Sequence, residues 1–123
     1  MAWFKNSPPG RDFLINLVIV SIGGILGSLT RYVFSEVLVN QYLAVFVANL
    51  LGVFVAAAVY KNKKFSDQQK LLWVTGFAGG LTTFSSLAVL SIETSFLGAV
   101  LYLSTTYLFT FVVLIIVKKR ISV

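Results

Sequence analysis

The sequence contains no cysteine, no histidine and only two prolines. Without the first two there is no thiol nucleophile, no disulfide, no zinc-finger ligand set and no Ser-His-Asp arrangement. Carboxylates are scarce too: Asp12, Glu36, Asp67 and Glu93 are the only four. They are too dispersed for a metal cage or an acid–base pair, so no residue set supports an enzyme. Charged residues make up 11% of the chain, against roughly 25% in an average soluble domain. That excludes an ordinary soluble globule.

Apolar residues are abundant, at 58% of 123. A membrane helix takes about 20 mostly apolar residues, so about 80 make four spans with short links. The long apolar runs fall at 13–34, 42–60, 71–91 and 96–117; Arg31 is the only charge inside them. The predicted fold is an all-α membrane protein, a single four-helix transmembrane domain over 1–123 with neighbouring helices antiparallel. The stretch before Phe13, with Pro8-Pro9-Gly10, reads as a cytoplasmic lead-in and not a signal peptide. Trp3, Tyr42, Tyr60 and Trp73 fall at or beside span ends, where amphipathic rings favour the interface.

Four spans put both termini and the 61–70 connection on one side. That side holds Lys5, Arg11, Lys61, Lys63, Lys64, Lys70, Lys118, Lys119 and Arg120, against Arg31 alone on the other. This asymmetry predicts a multi-pass protein of the plasma membrane with both termini cytoplasmic. It also accounts for the net charge of +6 without a nucleic-acid partner, since no soluble basic surface is available.

Polar residues inside the spans are informative, because hydrocarbon tolerates them only when paired or lining a wet cavity. In span one, Gly23, Gly27 and Arg31 recur every four residues, a stripe that suits close helix packing. Arg31, near the outer end, either snorkels to the headgroups or forms an electropositive collar that draws anions to a vestibule. In span two, Ala44, Ala48, Gly52 and Ala56 form a second seam. Asn49 lies close to it and suits either an interhelical clamp or a donor to a passing anion.

Span three carries Gly76, Gly79 and Gly80 followed by Thr82, Thr83, Phe84, Ser85 and Ser86. Glycine weakens a helix and hydroxyls compete for its backbone, so a break near the span's centre is expected there. Carbonyls freed at that depth must be buried or bind something, and a cation is their natural guest. A kinked helix re-satisfied by its own hydroxyls is the plainer reading. Span four has Tyr102, Thr106 and Thr110 at four-residue steps, either a hydroxyl track or hydroxyls bonded back to their own helix. All the embedded groups except Arg31 are neutral donors or rings, which suits a partly dehydrated small anion and a passive channel.

Gly-Gly-x-x-Gly-x-x-x-Arg-Tyr at 23–32, Asn49 with Gly52, and Gly-Gly-Leu-Thr-Thr-Phe-Ser at 79–85 resemble the CrcB/Fluc fluoride channels over essentially the whole chain. The resemblance implies a passive fluoride exporter that confers fluoride resistance. It further implies a dual-topology dimer of antiparallel subunits with a structural sodium ion at its centre. Carried over, the backbone carbonyls of Gly79 and Thr82 would hold sodium, and Arg31 would stand at the vestibule. Asn49, Phe84, Ser85, Tyr102, Thr106 and Thr110 would line the fluoride pore.

Two positions depart from the family pattern: Leu87 stands where a second pore Phe is usual, and Leu90 where a Glu is usual. The strong Lys/Arg bias also opposes insertion both ways round. An oppositely oriented paralogous chain is therefore expected as partner, with a homodimer as the alternative. A small four-helix multidrug or cation exporter is the competing transport reading, but span one lacks the embedded carboxylate it would need. A non-transporting assembly subunit is the third.

Overall fold

The computed structural model describes residues 10–121 and contains no strand among them. Lys5, Trp3 and Pro8-Pro9 lie outside the described residues. Helix α1 is Arg11–Val37 and α2 is Gln41–Tyr60. Helix α3 covers 67–81: an α-helical turn at Asp67–Lys70, a π-helical stretch at Leu71–Ala78, and a last turn at Gly79–Leu81. After an interruption come α4 (Phe84–Glu93) and α5 (Phe96–Ile121). Four stretches are long and apolar enough to cross a membrane: Asp12–Val37, Gln41–Tyr60, Asp67–Glu93 and Phe96–Arg120. They contain the four predicted runs except for small differences at the ends.

Those differences have local causes. The N–H of Leu38 still donates to the Phe34 carbonyl at 2.9 Å, carrying α1 past its expected end. Asn40 then caps α2, its side-chain oxygen accepting from the Tyr42 N–H at 2.9 Å. Arg31 therefore sits six residues before the end of α1, about 9 Å along the axis. Helix α3 begins earlier than expected because Ser66 and Gln69 form a reciprocal capping box, with bonds of 2.9 and 3.2 Å.

The glycine stripe of α1 packs on α3. A Cβ on Gly23 would collide with the Leu72 carbonyl and the Gly76 backbone; one on Gly27 would collide with the Phe77 carbonyl. From the other side, a Cβ on Gly80 would stand 2.5 Å from the Gly24 carbonyl. Main chain thus meets main chain along this seam, as small residues allow in lipid. The glycines of span three do not break it: all three remain helical, and Gly76 and Gly80 admit α1. Positions rise together along the pair, so α1 and α3 run parallel, as spans one and three must.

Helix α2 lies against both neighbours through its small-residue seam, with Ala44, Ala48 and Gly52 buried. Aromatic pairs join it to α5: Tyr42 meets Tyr102 and Phe46 meets Phe109 edge-on, at 5.3 and 5.5 Å between centroids. At one end of the bundle, Lys61 and Lys118 line a common cavity of about 390 Å³ with Tyr60, which brings the ends of α2 and α5 together. Outer faces of α1 and α5 leave Leu14, Ile25, Leu101, Leu108 and Ile115 exposed. Such an apolar surface suits lipid or a second subunit.

The seam makes a graded prediction. Gly27→Ala forces overpacking against main chain and should destabilise the fold by about 1–3 kcal/mol. Gly24→Ala, whose Cβ would find its nearest neighbour at 3.9 Å, should be neutral or slightly stabilising. Thermal unfolding of the two purified variants in detergent measures the difference; equal melting temperatures would remove the seam's importance.

Candidate functional site

The third span is interrupted at Thr82 and Thr83, both in extended conformation with ψ of 148° and 117°. β-Branched residues accept extended backbone readily, which places the break at the threonines and not at the glycines before them. A helix that stops and restarts leaves carbonyls at the first end and N–H groups at the second, all costly inside a bilayer.

Helix α2 supplies the main remedy. Asn49 Oδ1 accepts from the Thr83 N–H at 2.7 Å, and Asn49 Nδ2 donates to the Thr83 carbonyl at 3.2 Å. One side-chain amide therefore satisfies both main-chain groups of one residue. The interhelical clamp is the role seen for Asn49 in the single chain. Thr83 in turn caps α4: its Oγ1 accepts from the Ser86 N–H at 3.2 Å and donates to Ser86 Oγ at 3.2 Å. Its contact with Ser85 Oγ is also 3.2 Å.

The carbonyl side is met differently. The Ala78 carbonyl accepts from the Thr82 N–H at 3.0 Å and the Thr82 hydroxyl at 2.9 Å. From α1, Ser28 Oγ donates to the Gly80 carbonyl and Arg31 Nη1 to the Thr82 carbonyl, each at a long 3.5 Å. The amides four residues beyond Gly79 and Thr82 are those of Thr83 and Ser86. They donate to Asn49 and to Thr83 Oγ1 instead. Gly79 and Thr82 are thus carbonyls whose ordinary helical partners have been diverted.

Arg31, Asn49, Thr82 and Ser85 converge on this interruption. Phe84, the first residue of α4, is 72% exposed on the outside of the single chain. The Tyr102–Thr106–Thr110 row lies on α5. Tyr102 donates to the Tyr42 carbonyl at 2.9 Å, and buried Thr106 donates to the Tyr102 carbonyl at 2.8 Å. Thr106 is thus bonded back to its own helix. Leu87 and Leu90 are buried inside the chain at 4% and 6% exposure.

Two adjoining cavities open beside the break between α1, α2 and α4. The smaller, about 260 Å³, is lined by Ser28, Arg31, Ser35 and Ser86 among others. The larger, about 340 Å³, shares Ser35 and Ser86 and adds Ser85 and Glu93. The Tyr102–Thr106–Thr110 row lines neither cavity. Ser28 and Ser35 escaped the sequence reading, although they stand three before and four after Arg31 on the same helical face.

Asn49→Ala should leave the Thr83 N–H and carbonyl without partners, a cost of about 1–3 kcal/mol for each group. Faster amide exchange at Thr83 and a lower melting temperature are expected together in the reconstituted variant. An unchanged Thr83 exchange rate would show that the clamp does not hold the break.

Comparison with known proteins agrees with this architecture. Residues 18–117 match the family model described as CrcB-like protein, Camphor Resistance (CrcB). A protein of Methanococcus aeolicus named fluoride-specific ion channel FluC is 36% identical over 78 residues, covering 58% of this chain and 63% of that one. The aligned segment thus spans just under two thirds of that relative. Similarity to FluC of Azobacteroides pseudotrichonymphae is 36% over 85 residues, covering 62% of this chain and 68% of that protein. Similarity to FluC 1 of Corynebacterium diphtheriae is 39% over 89 residues, covering 72% of this chain and 80% of that protein. With four spans, the broken third helix and a family match over most of its length, the chain belongs to the CrcB family.

Proposed function

We propose that this chain is a subunit of a passive, fluoride-selective channel that releases fluoride from the cytoplasm. The observation that carries the reading is the interruption at Thr82–Thr83 in mid-span, where the neutral Asn49 amide holds both main-chain groups of Thr83 and the Arg31 guanidinium reaches the Thr82 carbonyl without any carboxylate beside it. A proton-driven exporter would need an ionisable carboxylate there, and the span's acids, Asp67 and Glu93, stand at its two ends. The relatives named fluoride-specific ion channel FluC support fluoride as the ion.

In this reading the pore is shared with a second subunit. Asn49 spends one Nδ2 hydrogen on Thr83 and keeps another for the anion. The exposed Phe84 ring offers its electropositive edge, and Ser85 and Thr110 supply hydroxyls; Tyr102 and Thr106 do so only on giving up their bonds to the Tyr42 and Tyr102 carbonyls. Arg31 draws anions toward the entrance.

A structural sodium ion fits the Gly79 and Thr82 carbonyls, because both have lost their helical donors while remaining neutral oxygen ligands. Such a set suits a hard monovalent cation. Gly79 is exposed and a Cβ there would meet nothing within 4 Å, leaving room for the same group from a partner. When bound, the ion would neutralise converging carbonyl dipoles at the centre of an antiparallel dimer. The Lys/Arg bias favours cytoplasmic termini and an oppositely oriented paralogous partner; a homodimer is the alternative.

Fluoride efflux from liposomes, followed with a fluoride electrode, tests the reading. Rapid electrogenic efflux without a proton gradient is expected, from this chain alone or with its paralogue, and Phe84→Ile should abolish most of it. Absence of fluoride flux from either assembly would overturn the proposal.

A further inference from the structure

Helices α2 and α5 run side by side in the same direction, and what stands between them changes along their length. Toward Tyr42 the gap is filled by the two aromatic pairs, Tyr42 with Tyr102 and Phe46 with Phe109. Toward Tyr60 the facing side chains are Ala56, Ala57 and Leu114, which leave the space open. A cavity of about 390 Å³ lies there, with Val74 of α3 as its third wall. It opens to the outside of the bundle, since Leu114 is 42% and Tyr60 55% exposed.

The two ends of this cavity differ in chemistry. Lys61 and Lys118 line it at the helix ends, five residues beyond Ala56 and four beyond Leu114. Its charged mouth therefore stands about 6–8 Å along the axis from its apolar floor. No carboxylate among the described residues lines it; Asp12 and Asp67 stand at the same end of the bundle but outside it. An apolar crevice that faces the bilayer admits an acyl chain, and two cations at its mouth select a headgroup of opposite charge. The depth suits the upper part of one chain, not a whole lipid tail.

We propose that this cavity is a binding site for an anionic glycerophospholipid, with the phosphate held between Lys61 and Lys118 and one acyl chain laid against Ala56, Ala57, Val74 and Leu114. Tyr60, at the mouth, sits at headgroup level with its ring toward the chain and its hydroxyl toward water. The site needs membrane residence but not fluoride permeation, so it stands apart from the channel reading. With both termini cytoplasmic, the lipid belongs to the cytoplasmic leaflet, where anionic headgroups are found.

Native mass spectrometry and melting temperature of the purified assembly in detergent, with dioleoyl phosphatidylglycerol added, test the site. Phosphatidylglycerol should bind and raise the melting temperature, while phosphatidylcholine and inorganic phosphate at the same concentration should not. Lys61→Gln with Lys118→Gln should weaken phosphatidylglycerol binding about 25-fold, about fivefold for each lysine. Lys63→Gln with Lys64→Gln removes as much charge from exposed positions that do not line the cavity, and should bind like the parent. Ala57→Leu keeps both lysines but fills the crevice, and should lose about tenfold. Leu114→Phe replaces Ala57→Leu if the latter melts lower without lipid. Equal losses in the two lysine pairs would overturn the site in favour of a diffuse basic surface. Stabilisation by inorganic phosphate alone would overturn the acyl-chain contact. Unchanged lipid binding in Ala57→Leu with a smaller dimer fraction would assign the cavity to a second subunit instead.

Discussion

A helix interrupted within a bilayer has no water to complete its hydrogen bonds, and the arrangement of this protein follows from that deficit. Asn49 meets it by imitating a peptide group, accepting from one side of Thr83 and donating to the other. The bond requires α2 to lie very near the break. Gly52, one turn further on, makes that approach possible, because a Cβ there would collide with the Thr82 methyl. Small residues in the seam and the polar residue beside it serve the same contact.

Helix α1 approaches from the other side by the same means. Bare glycines bring its backbone against that of α3, and the stripe ends in Arg31, which reaches the Thr82 carbonyl. Capping α4 through Thr83 and holding Thr83 through Asn49 removes two N–H groups from the helical ladder. The corresponding oxygens, on Gly79 and Thr82, lose those amide partners, and that of Thr82 accepts from Arg31 instead.

Much of this was legible in the chain. Apolar run lengths gave the four spans, and four-residue spacing of Gly and Ala gave both seams. The dense cluster of small and hydroxylated residues marked span three as interrupted. Its position was less clear, because glycine's low helix propensity points to 76–80 while the extended residues are Thr82 and Thr83. Packing outweighs propensity at Gly76 and Gly80: losing a helical turn would forfeit the close contact with α1. The end of α1 was also misplaced, since capping by Asn40 and the last bonds of α1 shorten the connection to three residues, 38–40.

By itself the sequence determined membrane residence, span number and the scarcity of ionisable groups in the spans, because hydrophobic run length and charge are local and additive. Only the tertiary structure decided which hydroxyls are spent and which amide closes the break. A serine or asparagine can donate to its own helix, a neighbour or an ion at comparable cost, and the choice depends on what stands within about 3 Å. Asn49 lies thirty-four residues from Thr83 in sequence, and their pairing exists only once glycine and alanine have let the helices meet.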